Sequence, residues 1–484
     1  MKNTLTKNIL LQTTYQIFNA GFPLLIAPYI ARVLGSYQLG LYSYSSSVLT
    51  YFTLFAMLGT VNYGTRCISE VRDDKNKLSV TFWSIYCLQF IVAVIFTCIY
   101  YIYILLFTNE NQIIFVLQGI NIIACIFDIS WLYFGLEKFS ITVFRSFIIR
   151  IFTLITVFLF VNNENDLTSY IIITAGSTLI SLLVLWINIF NYIDLTRIKI
   201  DNCIMHLKNN IVLFIPLLAM SIYHVMDKTM LGYMCDLSQS GYYYNADKVI
   251  NIPISVLNGI GVVLLPAITA LYSKNLISKA VNLFEKSLDY VAFVSIALAS
   301  GIVAVSNEFI PLFFGNGYNE CILLIAVLSP VLVVKGITNT VRTNYLIPLK
   351  REKIFIISVI FGAIVNIILN IILIPRGGAL GAVIGTLIAE IVSCIVQFWH
   401  IKNEINILTL VKNMCIYIIA GITLIFSIRF IASFIQINMF IKFFLEILIG
   451  FVFYNLLGIG MIKVMPECIY KVIFAKYSAI IKRI

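Results

Sequence analysis

An all-α protein threaded many times through a membrane is what this sequence predicts, and three observations carry that expectation. Hydrophobic residues make up 61% of the chain and charged residues only 11%, against about 25% charged in an ordinary soluble domain. So few charges cannot cover a water-facing surface. The apolar residues also come in long unbroken runs that match the roughly 20 residues a helix needs to cross a bilayer. A membrane β-barrel would instead give short alternating segments. Third, the cations behind the net charge of +11 fall mostly in short connections, where they orient a membrane protein. The positive balance therefore says little about a substrate and gives no reason to expect nucleic acid.

About fourteen spans fit the apolar pattern. They run over residues 7–33, 40–62, 78–107, 112–136, 141–161 and 167–193, then 209–233, 241–272, 286–305, 320–346, 354–374 and 380–400, and last 409–430 and 439–461. Alternate connections are basic: Arg66, Arg72, Lys75 and Lys77; Lys138 and Arg145; Arg197, Lys199 and Lys208; Lys274, Lys279 and Lys286; Lys350, Arg351 and Lys353; Lys402 and Lys412; and the C-terminal tail. The intervening stretches 108–111, 162–166 and 306–319 hold no Lys or Arg. This alternation predicts that both termini are cytoplasmic. Arg376 and Lys442 are the exceptions to it. The first span is too long for the core of a signal peptide, so no cleavage is expected. Pro23, Pro28, Pro216, Pro253, Pro266 and Pro330 fall inside spans, where each removes a helix hydrogen bond and permits a bend.

The chain also carries an internal echo. Ala31-Arg32-Val33-Leu34-Gly35 closes one apolar helix and Gly40-Leu41-Tyr42 opens the next; Lys228-Thr229-Met230-Leu231-Gly232 and Gly241-Tyr242-Tyr243 repeat that order. Gly176-Ser177-Thr178-Leu179-Ile180 is matched by Gly385-Thr386-Leu387-Ile388. Chance similarity among apolar helices is the bland alternative. A duplication would give two six-helix bundles, residues 1–200 and 201–404, followed by two further helices and a basic tail in 405–484. Six is an even number, so both copies enter the membrane from the same side, related by a pseudo-two-fold axis along its normal.

Several function classes are excluded or weakened. The connections are too short for a separate catalytic or nucleotide-binding domain, and no Gly-x-x-x-x-Gly-Lys loop is present, so neither an enzyme nor ATP hydrolysis is expected. The ten cysteines form no Cys-x-x-Cys pair, which argues against a metal site and a disulfide framework. A bridge between Cys235 and Cys321, both in connections, stays open.

A charge at mid-bilayer costs about 2.5–3.5 kcal/mol on the insertion scale, so it should face a cavity or a partner. Lys335, Asn339 and Arg342 stand at helical spacing on one face of the tenth span. A basic stripe of this kind suits an anion such as phosphate, with Arg able to bind two oxygens at once; the competing reading of Arg342 is that it reaches to the interface. Arg32, Lys228 and Lys248, at equivalent helix ends of the two copies, form a second candidate substrate-binding group, with Asp227 and Asp247 to orient them. A structural ion-pair network there is an equal alternative. Asp227, Asp247, Glu390 and Asp128 are the candidate carriers of a coupling proton or sodium ion, carboxylates being the usual relay groups in transporters. Asp128 also suits a hydrogen bond that locks neighbouring helices, as do Asn366 and Asn370. No other cofactor is expected.

At Phe127-Asp128-Ile129-Ser130-Trp131-Leu132-Tyr133-Phe134-Gly135-Leu136-Glu137-Lys138-Phe139 the chain resembles the bacterial oligosaccharide (Wzx-type) flippases of the multidrug/oligosaccharidyl-lipid/polysaccharide exporter superfamily. Ala31 to Gly35, Asp227 to Gly232, Leu346 to Lys353, Asn366, Asn370, Ile374-Pro375 and Gly385 to Glu390 extend the resemblance over about the first 400 residues. It implies two six-helix bundles facing each other in a V. It also implies movement of an undecaprenyl-diphosphate-linked oligosaccharide between leaflets of the bacterial inner membrane by alternating access, coupled to an ion gradient, for O-antigen, capsule or exopolysaccharide synthesis. The implied partners are that lipid, the bilayer, and polymerase and chain-length proteins of the same pathway. A lipid II flippase, a multidrug exporter of the same superfamily and a membrane-embedded polymerase are the alternatives. The basic intramembrane set speaks against the exporter, and the short connections against the polymerase.

Overall fold

Among the described residues every regular element is a helix. The computed structural model describes the backbone of residues 2–197 and 200–464, and the side chains of 21–197 and 201–456 apart from Leu24 and several positions between 212 and 224. The terminal cations, Lys199 and Pro216 lie outside the described side chains. The chain divides into two compact units, residues 1–241 and 242–484.

The first unit holds α1 (Lys2–Met57), α2 (Thr60–Val71), α3 (Lys75–Phe107), α4 (Gln112–Gln118), α5 (Ile120–Ile126), α6 (Ser130–Gly135), α7 (Phe139–Phe160), α8 (Leu167–Val184) and α9 (Ile200–Met234). α1 is really two helices broken at Gly35, whose φ of +73° favours glycine, and these are the first two predicted spans. α3 starts where Asp74 accepts the backbone N–H groups of Asn76 and Lys77, both at 3.1 Å, which satisfies two of the donors a helix start leaves over. α2 is a short amphipathic helix that buries Ile68 and exposes Arg66 and Glu70, an i,i+4 ion pair at 3.1 Å.

The predicted fourth span is not one helix but three, α4 to α6: a turn at Gly119 divides α4 from α5, and the backbone leaves helical geometry at Phe127 to Ile129 before α6. A break in a membrane helix frees carbonyls that lipid cannot satisfy. Here Gln89 Nε2 donates to Cys125 O and to Asp128 O, each at 2.8 Å, Trp131 Nε1 donates to Gln89 Oε1 at 3.0 Å, and Trp186 Nε1 donates to Phe127 O at 3.0 Å. Trp131 and Tyr133 are buried in the core of this unit with Phe82, Ile85 and Leu185. Gly64 lies so close to the Trp131 ring that a side chain there would force the indole aside.

The second unit is built on α10 (Leu237–Ser273), whose first residues to Gly241 still belong to the first unit, α11 (Ile277–Phe313), α12 (Glu320–Val341), α13 (Glu352–Ile401), α14 (Ile407–Phe434) and α15 (Met439–Val464). α13 is an antiparallel hairpin: Pro375 and Gly378, at φ +51°, make the reversal, Gly385 packs on Asn370, Gly362 on Ala389 and Ser393, and Gln397 Nε2 donates to Ser358 Oγ at 3.1 Å. Arg376 stands exposed at the hairpin tip. α11 is the centre of the unit, packing on α12, α14 and α15. Phe293 and Ile296 of α11 meet Tyr417 and Leu424 of α14 and Tyr454 of α15. Asp289 of α11 accepts from Asn413 Nδ2 at 2.8 Å and from Tyr417 OH at 3.1 Å, so the added C-terminal helices are held by polar as well as apolar contacts.

Eleven described helical stretches are long and apolar enough to cross a membrane. Two of them are the paired helices around Gly35 and Gly378, and α9, with 35 residues, adds another, which brings the spans to the expected fourteen. The basic connections gather within each unit. Arg72 pairs with Glu137 at 2.5 Å and Lys75 with Asp194 at 2.8 Å in the first; in the second, Arg351 pairs with Glu404 at 2.6 Å, and Asn406 N donates to Glu285 Oε1 at 2.8 Å. Cys235 and Cys321 are free thiols, and Cys321 is buried with its sulfur 3.4 Å from Tyr242 O, so the bridge left open by the sequence is not made.

The echo between copies has a physical counterpart. A Cβ on Gly40 would overlap the carbonyl of Leu237, and a Cβ on Gly241 would overlap that of Ser36. The offset that aligns Gly40 with Gly241 also aligns Ser36 with Leu237, so the contact is reciprocal.

Candidate functional site

The basic face of α12 is divided among its neighbours. Lys335 Nζ stands 3.2 Å from Glu390 Oε1 on the second arm of α13, with side chains only 13% and 7% exposed. That oxygen receives no aligned hydrogen bond, so the pair is a close charge contact rather than a fixed donor–acceptor bond. One turn on, Asn339 Nδ2 donates to Asn258 Oδ1 of α10 at 3.0 Å. The Arg342 guanidinium lies 4.6 Å from the centroid of Phe355, on the first arm of α13, a cation–π arrangement. Arg342 is also where α12 gives way to a five-residue π-helical turn, Arg342–Leu346, closed by Ile347 N to Arg342 O at 2.9 Å. Such turns widen a helix by one residue and are frequent at functional sites. Lys335 and Glu390, a candidate anion-binding cation and a candidate ion carrier, are thus brought together within one unit.

The other candidates are spread over both units. Arg32, Asp227 and Lys228 belong to the first. Arg32 is exposed, Asp227 is buried, and all three are engaged by neighbouring groups. Beside Asp227, Thr229 Oγ1 donates to Ser47 Oγ at 2.9 Å and ties α9 to α1. Asp247 and Lys248 belong to the second unit, where Asp247 Oδ1 accepts from Asn251 Nδ2 at 2.7 Å and the Lys248 ammonium lies 4.3 Å from the Tyr244 ring centroid. Asp128 Oδ1 accepts Ser130 N–H at 2.9 Å and opens α6 within the broken fourth span. Asn366 and Asn370 are fully buried and bonded to each other at 3.2 Å. Among the described residues no cluster of His, Cys, Asp and Glu suited to a metal ion is found.

Sequence reasoning missed Asn258, Phe355 and the π turn. Asn258 sits in an unremarked apolar stretch, and neither an aromatic face nor a turn of backbone has a periodicity to betray it. The pairing of Lys335 with Glu390 has no signal in one sequence either, since 55 positions separate them along the chain.

The family model described as "Polysaccharide biosynthesis protein" matches residues 5–272, more than half of the chain. The chain belongs to that family. As a member it is similar over 408 residues, at 22% identity, to the "Putative O-antigen transporter" of Escherichia coli (strain K12), the match covering 83% of this chain and 98% of that protein. In fold it is similar to a lipid II flippase MurJ in an inward closed conformation, with a TM-score of 0.78, 16% identity, and coverage of 95% of this chain and all of the other. An inward-facing multidrug resistance MATE transporter follows with a TM-score of 0.62 at 13% identity, covering 82% of this chain and 96% of that one. This family member is a multi-pass membrane protein with the all-α fold of those transporters.

Proposed function

We propose that this protein is a transporter, not an enzyme, and that it carries an undecaprenyl-diphosphate-linked oligosaccharide from the cytoplasmic to the outer leaflet of the bacterial inner membrane by alternating access. Its product would feed O-antigen, capsule or exopolysaccharide assembly. One observation carries the reading: a membrane-embedded lysine, Lys335, is balanced by a carboxylate that faces it without an aligned hydrogen bond, with Arg342 two turns along the same helix. A phosphorylated head group competes for such a lysine, because phosphate offers more charge and more acceptor oxygens than one carboxylate. Glu390, relieved of Lys335, then takes up a proton or sodium ion, which joins substrate binding to a cation gradient. Family membership and the O-antigen transporter relative support the substrate class. The gathering of basic connections within each unit supports cytoplasmic termini.

The test is translocation of labelled lipid-linked oligosaccharide in proteoliposomes, with lipid II as a parallel substrate. Transport of the oligosaccharide that falls at least tenfold in the Lys335→Ala, Arg342→Ala double variant is expected. Transport of lipid II alone would replace this reading, and no transport by the intact protein of its own pathway's lipid would refute it.

A further inference from the structure

Lys442, an exception to the charge pattern of the connections, has a partner. It lies in the first turn of α15, with Nζ 2.8 Å from Glu308 Oε1 of α11. One helical turn further along α15, Glu446 is 2% exposed, and neither of its carboxyl oxygens meets a hydrogen-bond donor. Lys442 and Glu446 stand one turn apart on α15, and Lys442 is bonded to Glu308, so the Glu446 carboxyl lies near that of Glu308, close enough for the two charges to interact. Two carboxyls and one ammonium therefore meet in the α11–α15 packing, largely buried, beside the rings of Phe309 and Phe443, which stack at 5.8 Å.

The charges do not balance. If both carboxyls are ionised, the cluster keeps one surplus negative charge in a largely buried site, and the Glu446 carboxylate has no donor. Both faults are removed by one cation. Arg429 of α14 is turned to another task, donating from Nη2 to Val303 O at 3.1 Å. On α12, which also packs against α11, Lys335 faces Glu390 and Arg342 faces Phe355. A metal ion is poorly served here. Ser306 Oγ already donates to Val303 O at 2.9 Å, and the Lys442 ammonium beside Glu308 would repel it. A proton needs no coordination shell and supplies the missing hydrogen bond.

We propose that Glu308 and Glu446 hold one proton between them, with Lys442 neutralising the remaining charge, as a proton-binding site in the C-terminal helices separate from the α12 face. Losing that proton leaves a net charge at the seat of α15 on α11, so the contact between these helices depends on occupancy of the site.

Infrared difference spectroscopy on the full-length protein in lipid nanodiscs, with glutamate carboxyls isotopically labelled, tests this. The wild type should show one protonated-carboxyl C=O band at neutral pH that is absent from both Glu446→Gln and Glu308→Gln, because the carboxyl that remains pairs with Lys442 and ionises. Glutamine has the shape of the protonated acid, so both variants should fold. In Lys442→Met the same band should about double. Absence of the band from the wild type, its retention at full intensity in either glutamine variant, or its loss on adding sodium at fixed pH would each overturn the proposal, the last by assigning the site to a metal cation.

Discussion

Removing Lys335 alone from the Lys335–Glu390 pair should cost more than removing both members. At 3.2 Å two unit charges attract by about 5 kcal/mol at an effective dielectric of 20. The net worth of the pair is smaller, because both groups were taken out of water, but stripping one partner leaves a buried charge and typically costs about 3–5 kcal/mol. Lys335→Met, which strands the Glu390 carboxylate, is expected to fall in that range, and Glu390→Gln to cost less because Lys335 keeps a further interaction, whereas Lys335→Met with Glu390→Met, which leaves apolar groups of similar volume, should lose less than about 2 kcal/mol. The unfolding free energies are read from detergent titrations in mixed micelles, followed by tryptophan fluorescence, and combined as a double-mutant cycle. A double variant whose loss equals the sum of the two single losses would refute the reasoning, since the two groups would then act independently.

Other outcomes follow from the fold. Gly40→Ala places a methyl on the Leu237 carbonyl and should destabilise by at least about 1–3 kcal/mol, while Gly176→Ala, with open space around it, should be close to neutral; thermal stability by fluorescence-detected size exclusion separates them. Gln89→Leu should cost about 1–3 kcal/mol by withdrawing the donors at the break before α6, measured in the same way. Burial pushes the Glu404 carboxyl up, but hydrogen bonds from Tyr345 and Arg351 outweigh that and hold it below the usual carboxylate range. Its contribution is therefore complete above about pH 4.5 and is lost as pH falls through the lowered value. Glu404→Gln should flatten the acid limb of a stability profile, by less than about 1 kcal/mol for a pair this exposed.

The number and order of spans were legible because hydrophobicity and loop charge are local quantities, repeated many times along the chain. What escaped was the interruption of the fourth span. Asp128 is a helix-start residue and does accept Ser130 N–H, but one such residue in an apolar run is a weak signal; the break holds because Gln89 and Trp186, far away in sequence, satisfy the carbonyls it frees. The site was legible as a set of costly residues and not as a set of pairs. Lys335 and Glu390 were both conspicuous as charges in apolar helices, but their meeting depends on how the α13 hairpin packs on α12. Glu446 went unnoticed and Lys442 stood out only as an anomaly of topology, which the ion pair with Glu308 explains.

The π turn at Arg342–Leu346 has a consequence for how this helix tolerates length changes. It stores one residue more than an α-helical turn would hold, and it is used to aim Tyr345 at two targets, the Phe284 ring at 4.8 Å and the Glu404 carboxylate. Excising a single residue from those five would let ordinary winding resume within the turn, while the helix on either side keeps its register because the extra residue was absorbed locally. Residues inside the turn, Tyr345 among them, would lose their present direction, whereas Lys335 upstream and Glu390 on α13 would keep their seats. A one-residue deletion here thus tests the turn alone, leaving the buried pair as an internal reference.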